Sequence, residues 1–228
     1  MILHSQIIQI SLKMGFLNMV ALVLKEIRRR LNSNEIHYGF YFDLKHEIPV
    51  NPPTFPLKIR PILPEDIPRL FYSSTNHITH EEIRERIQRL FFLKTDVPTC
   101  FVASKSDQFP CALCWLITPR ENPRIEHYFS GGLPPLKPYE MLLEFVFVHP
   151  DYRGKGLMEW ISKKLFVQAR SKGARRAIAF VRGENKSSLA TTRSIGWKPF
   201  LRKNVRWKFF KRRITYETLN AGLPEKQA

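Results

Sequence analysis

Cysteine is scarce in this sequence. Cys100, Cys111 and Cys114 are the full set, odd and sparse, which argues against a secreted disulfide framework and for a reducing compartment. The expected location is the cytoplasm. Cys111 and Cys114 stand at the spacing of half a zinc or redox motif. They lie, however, in the apolar run Ala112-Leu113-Cys114-Trp115-Leu116-Ile117, and no second Cys/His pair stands at metal spacing. They are read as buried structural cysteines, and no metal is expected. Long uninterrupted apolar stretches are also missing. Near the N-terminus Ile7, Ile8, Ile10, Leu12, Phe16 and Leu17 are broken by Gln9, Lys13 and Asn18, with no Lys or Arg ahead of them. That pattern suits neither a signal peptide nor a spanning helix, and Met14 and Met19 are alternative starts. No internal repeat is visible.

Acidic residues are nearly missing from one segment. Residues 151–213 hold 19 Lys/Arg against 3 Asp/Glu, whereas residues 1–57 hold 6 against 4 and residues 58–150 hold 11 against 11. The formal charge of +17 is therefore one concentrated block. Such a block suits an anionic partner: a polyphosphate cofactor, nucleic acid or an anionic membrane face, with plain solvated charge as the alternative.

What is present is a regular order of elements. Val20, Leu24, Ile27 and Leu31 recur at helical spacing, so residues 19–31 read as an amphipathic helix. Residues 36–44 alternate as a strand does, and the Pro-rich stretch 48–56 reads as a linker, so residues 1–56 form an N-terminal extension. From Leu57 to residue 213 the pattern is one domain. A strand (57–62) and a short helix opened by Pro64-Glu65-Asp66 precede a longer helix, which starts at the capping box Thr79…Glu82. Strands over 99–104 and 111–118 follow, joined by a turn at 105–108. Residues 119–138 read as a long loop, a candidate for substrate contact or a lid. Strand 141–148, a helix after Gly156, strand 176–181, helix 185–194 and a hairpin (198–202 and 205–210, turning at Lys203-Asn204) complete the domain, with residues 214–228 as a tail. Alternating strands and helices imply an α/β class with a mixed sheet.

A strand that passes through a Gly-containing turn into a helix is a recipe for holding phosphate: converging backbone N–H groups and the helix dipole favour an anion, and glycine permits close approach. Here the turn is Arg153-Gly154-Lys155-Gly156-Leu157-Met158. Two glycines at a helix start serve equally often as a tight connection. The wider context is more specific. Glu144-Phe145-Val146-Phe147-Val148-His149-Pro150-Asp151-Tyr152-Arg153-Gly154-Lys155-Gly156 resembles motif A of the GNAT (GCN5-related N-acetyltransferase) superfamily. Asn185-x-x-Ser188…Ile195-Gly196-Trp197 is similar to that family's downstream Asn-x-x-Ala…Leu-Gly-Phe element, and Ile59-Arg60-Pro61…Pro64-Glu65-Asp66-Ile67 to its first strand and helix. The resemblance covers residues 57–211.

It implies a mostly antiparallel mixed sheet flanked by helices and an acyl-CoA-dependent N-acyltransferase, with acetyl-CoA or another acyl-CoA as co-substrate and an amine as acceptor. By the same resemblance, backbone groups of Val146, Phe147 and Val148 would pair with the pantetheine arm, the pyrophosphate would lie over Arg153–Met158, and Asn185 would contact or position the arm. The thioester would sit where strands 141–148 and 176–181 diverge. Such a reaction needs a base for the amine, a polarised carbonyl and a proton for the thiolate. Glu144, the one acid in an apolar strand, is the base candidate, with a structurally held carboxylate as the alternative. The N–H of Val146 is the candidate for polarising the carbonyl.

Two departures from the family stand out. Met158 replaces a small residue, and Thr192 falls where a tyrosine commonly acts as acid. A hydroxyl of that kind is a poor acid for a thiolate, so Tyr152, Ser188 or water take that place as candidates, or the thiolate leaves unassisted. His149 reads as structural or solvated, and Trp160, Trp197 and Phe200 as packing. The rival readings are an acyl-CoA-binding domain without turnover and a nucleic-acid binder built on the basic aromatic segment 197–213. Against the latter, Val205, Trp207 and Phe209 alternate as in a half-buried strand. A homodimer and contact of helix 19–31 with an anionic membrane are further partner expectations.

Overall fold

The structure is a computed structural model that describes residues 16–53, 55–71, 79–95, 97, 99–105 and 109–219. The alternative start Met14, the turn residues 106–108 and the end of the tail from residue 220 lie outside the described residues. The elements, in chain order, are α1 (Phe16–Leu31), β1 (Asn32–Asp43), β2 (Lys58–Pro61), α2 (Asp66–Phe71), α3 (His80–Leu93), β3 (Cys100–Ser104), β4 (Pro110–Ile117), α4 (Asn122–Phe129), β5 (Glu140–Val148), α5 (Leu157–Ser171), β6 (Arg176–Arg182), α6 (Lys186–Ser194), β7 (Lys198–Lys208) and β8 (Lys211–Thr218).

Among the described residues the eight strands form one sheet in the order β2-β3-β4-β5-β6-β1-β7-β8. Every pairing is antiparallel except β5 with β6. The sheet is covered on both faces, which explains why β4 is apolar at every position. Ala112, Cys114 and Leu116 pack with Trp160, Ile161, Leu165 and Phe166 of α5. Leu113, Trp115 and Ile117 point the other way, into a core with Leu70, Phe71, Leu90, Phe92 and Ile125 from α2, α3 and α4. A strand buried on both sides has no need of alternation. The three cysteines are buried and none forms a disulfide, and Trp160 and Trp197 belong to the α5-side core. The Arg60-Pro61…Asp66 run also acquires a physical meaning. Buried Asp66 accepts 2.6 and 2.7 Å bonds from Arg60 and one of 2.8 Å from the Leu63 N–H, tying β2 to the start of α2.

The structure differs from the sequence reading in three places. The strand assigned to an N-terminal extension is β1, which lies inside the sheet between β6 and β7. The final hairpin does not turn at Lys203-Asn204: β7 runs unbroken because β1 supplies partners along it, Asn204 facing Ile36 and Lys203 facing His37. The turn falls at Phe209-Phe210, and residues 211–218, part of the expected tail, form β8. Finally, the expected loop 119–138 contains a 3-10 turn (Pro119–Glu121) and α4. Two of its prolines mark helix starts: Pro119 opens the 3-10 turn, and Pro123 stands in the first turn of α4, where a missing N–H costs nothing. α4 buries Ile125 against the second core.

Candidate active site

β5 and β6 run parallel but pair only over Glu140–Leu142 with Arg176–Ile178. Beyond that they diverge, as the sequence reading expects. The divergence is accompanied by a bulge in β5, where the register against β4 shifts between Leu113 and Trp115 and Phe145 has φ 53°. A non-glycine residue in that region costs about 1–3 kcal/mol and persists only when its surroundings fix it. Arg89 of α3, itself buried, donates to the carbonyls of Phe145 and Val146 at 3.2 and 3.0 Å. The Phe145 ring lies among Phe92 and Phe129, with centroids at 4.9 and 6.0 Å. Of the strand groups expected to meet a pantetheine arm, the Val146 carbonyl is therefore engaged by Arg89.

From the end of β5 the chain enters a 3-10 turn, Pro150–Tyr152, and then the glycine turn into α5. Gly154 and Gly156 have φ 74° and 69°, and a Cβ built on either would meet nothing within 4 Å. The conformation demands glycine, and the space above the turn is open. The first N–H groups of α5 have no partners within the helix. A turn of this shape fits a phosphate ester.

A cleft of about 1850 Å³ passes over it, lined by Val146, Phe147, Val148, Tyr152, Arg153, Gly154, Gly156, Leu157, Met158, Asn185 and Ser188. Arg153 reaches across to Glu82, the capping-box partner of Thr79 at the start of α3, at 2.7 Å. Lys155 is not in the lining. Its Nζ donates to the Asp151 carbonyl at 3.0 Å and lies 5.1 Å over the Tyr152 ring. Buried His149 accepts from the Asp151 N–H at Nδ1 (3.4 Å) and packs edge-on to Phe109. Burial holds its pKa below the ordinary value.

A second pocket, about 470 Å³, adjoins the first. The two share Arg89, Val146, Met158, Arg182, Asn185 and Ser188. Glu144 opens into this second pocket, together with His37, Tyr128, Phe129, Thr192, Lys203 and Trp207. Burial raises the Glu144 carboxyl to about 7, against the opposing pull of Lys203, the Phe145 N–H and Arg89. Lys203, buried as well, is lowered to about 8 by desolvation, with Glu144 acting against that. Tyr128 donates to the Gln88 carbonyl at 3.1 Å, and burial, then Glu144, pushes its pKa up to about 12.

The structure thus brings Glu144 and Ser188 to one pocket and Tyr152 and Ser188 to the other, while Tyr152 and Glu144 share neither lining. Asn185 caps α6, its Oδ1 accepting from the Ser188 N–H at 3.0 Å. Thr192 is buried, its short side chain bounding the second pocket. The sequence reading passed over Arg89, His37, Tyr128 and Lys203. A signal existed for Lys203, which interrupts the row Leu201, Val205, Trp207 just as Glu144 interrupts β5. For Arg89 and His37 there was none, since the first depends on α3 packing onto β5 and the second on β1 joining the sheet. Among the described residues no group of three His, Cys, Asp or Glu could hold a metal.

Known proteins give a consistent picture. The profile of the acetyltransferase (GNAT) family matches residues 64–197, more than half of the chain. No curated protein matches its sequence. Among solved structures, a GCN5-related N-acetyltransferase from Sphaerobacter thermophilus is similar at TM-score 0.49 and 14% identity, over 88% of this chain and 57% of that one. A fungal region described as a GCN5-related glucosamine N-acetyltransferase, within a multi-domain GH3 beta-N-acetylglucosaminidase, is similar at TM-score 0.51 and 12% identity. That match covers 87% of this chain and 23% of the other. The chain spans 57% to 64% of the length of several other solved structures it matches, and at 12% identity the fungal match concerns the fold. The splayed β5/β6 pair, the glycine turn and the matched profile agree, and the chain belongs to the GNAT family of acetyltransferases.

Proposed function

We propose that the protein transfers an acyl group, acetyl in the simplest case, from acyl-CoA to a primary amine by direct attack in a ternary complex. The observation that carries this is the pair of adjoining pockets. One runs over the glycine turn, the other holds a carboxyl of raised pKa, and they meet beside Val146, Asn185 and Ser188.

Acyl-CoA supplies an activated thioester carbonyl. Residues Arg153–Met158 and the free N–H groups of the first turn of α5 hold its phosphates, with Arg153 exchanging Glu82 for the anion. Backbone N–H groups at the β5 bulge polarise the carbonyl. On the acceptor side, ionised Glu144 takes a proton from the ammonium, directly or through one water, so that the free amine attacks. On collapse of the tetrahedral intermediate the second proton of the attacking nitrogen passes to water, and the thiolate, whose conjugate acid has a pKa of about 8.5, departs without a dedicated acid and is protonated from the same solvent. This accommodates Thr192 at the position of the usual tyrosine.

Lys203 acts on Glu144 through its charge. Because it pulls the Glu144 pKa down, Lys203→Met is expected to move the acidic limb of the kcat/KM–pH profile to higher pH. An unmoved limb would remove Lys203 from this role.

Thr192 also favours a second reading, an acyl-CoA-binding domain without turnover. Incubation with acetyl-CoA and a panel of primary amines, followed by assay of released CoA thiol, separates the two. Amine-dependent release supports transfer. Tight binding of acetyl-CoA with no release for any amine supports the second reading.

A further inference from the structure

Helix α1 is mounted with its polar side toward the protein. Lys25 pairs with Glu81 at 3.9 Å and Arg29 with Glu35 at 2.8 Å, and the Arg29 guanidinium lies 5.2 Å from the Trp207 ring centre. Its apolar stripe, Val20, Val23, Leu24, Ile27 and Leu31, faces solvent, with Leu24 59% exposed. This is the reverse of how an amphipathic helix packs on its own core.

The stripe continues onto the β7–β8 turn. The N–H groups of Phe209 and Phe210 donate to the carbonyls of Leu31 and Arg30 at 2.9 and 2.8 Å, so the turn is stitched to the end of α1. Both phenylalanines have positive φ, 47° and 64°, where a two-residue turn ordinarily uses Asn-Gly. They are 71% and 55% exposed. Two large apolar side chains are thus held out to water on a strained turn, a combination that folding alone does not explain. Around the tip stand exposed Lys208, Lys211 and Arg213, exposed Arg28 flanks the stripe, and no Asp or Glu occurs between 206 and 213; Arg30 is held by Glu26 at 2.8 Å and Arg212 by the Phe129 and Ser130 carbonyls.

We infer that the outer face of α1 and the Phe209–Phe210 tip form a docking surface for an anionic lipid bilayer. Aliphatic and aromatic side chains enter the headgroup–acyl boundary while the surrounding cations meet lipid phosphates and carboxylates, the arrangement of an interfacial helix. Nucleic acid fits less well, because Val, Leu and Ile have no π-face for stacking, and a second copy would set this basic rim against itself. Val23, Ile27 and Phe210 also border the larger cleft, so docking sets that cleft's rim beside the lipid. The inference does not depend on the acyltransferase reading.

The test is co-sedimentation of the full chain with phosphatidylcholine vesicles with and without phosphatidylserine. Binding is expected only with phosphatidylserine, weakening as salt rises. The double substitution Phe209→Asn/Phe210→Gly should lower vesicle partition roughly tenfold or more while raising Tm, since Asn-Gly suits the turn. Leu24→Asp should lower partition similarly with the turn intact. Wild-type protein left in the supernatant, partition unchanged in both variants, a solution dimer without vesicle binding, or retention of single-stranded nucleic acid without vesicle binding would each overturn the inference.

Discussion

Glu144→Gln is expected to lower kcat by about 10²–10⁴, the usual contribution of a positioned acid–base group, while leaving the Kd for acyl-CoA nearly unchanged. The carboxyl lies in the smaller pocket, away from the lining of the cleft over the glycine turn, so binding and proton transfer are separable. The sign of the pH dependence follows from the raised pKa. A base must be ionised, so wild-type kcat/KM should rise with pH through about 7 and level off above it. The amide variant should lose that limb with its activity. An ordinary surface glutamate would give a limb near 4.5, where few amine acceptors carry a free lone pair. Burial at the β5 bulge therefore does what the choice of residue alone cannot.

Substitutions in the glycine turn should do the opposite, raising the Kd for acyl-CoA and sparing turnover at saturation. Gly156→Val places a β-branched side chain at φ 69°, at a cost of about 1–2 kcal/mol, and fills space that now stands open above the turn. Arg153→Glu removes the cation and sets a carboxylate against Glu82, the present partner of Arg153. Either change should weaken acyl-CoA binding at least about tenfold, or 1.4 kcal/mol, as read by calorimetric titration. Equal affinity in Arg153→Glu and wild type would mean that the anion sits elsewhere. Lys155→Ala should matter less, because that side chain folds back onto Asp151 and Tyr152.

The glycine turn was legible in the sequence because it is local, whereas the splay of β5 and β6, two strands separated by α5, was expected through the family resemblance. β5, the turn and α5 follow one another over residues 140–171, and their chemistry is written in that stretch. The acceptor pocket was not legible, for a physical reason. It is assembled from elements far apart in the chain, β1, α3, α4, β5 and β7 among them, and two of its titratable groups, His37 and Lys203, face each other only because β1 inserts between β6 and β7. Residues 32–43 lie before the family match and residues 198–218 beyond it, so the family profile does not describe them, and local alternation marks strands there without saying which strands pair. The same insertion explains the misplaced hairpin turn. Asn204 has the local signature of a turn, but twelve-residue β1 offers a partner along most of β7, and pairing outweighs propensity.

α1 shows a different limit. Its periodicity was plain, yet periodicity does not say which side faces in. Half-buried Arg29, held by Glu35 and the Trp207 ring, turns the polar side inward, and both partners lie outside the helix.

The most direct test of the central claim, that the cleft over Arg153–Met158 binds acyl-CoA, is a thermal-shift titration of the full chain with acetyl-CoA, longer acyl-CoAs and free CoA. At a ligand concentration about a hundredfold above Kd, linkage gives about 2.7 kcal/mol of stabilisation, or a rise in Tm of roughly 5–10 °C for a chain of this size. Arg153→Glu should show little of it at the same concentration. No shift of the wild-type Tm with any CoA species would contradict the account.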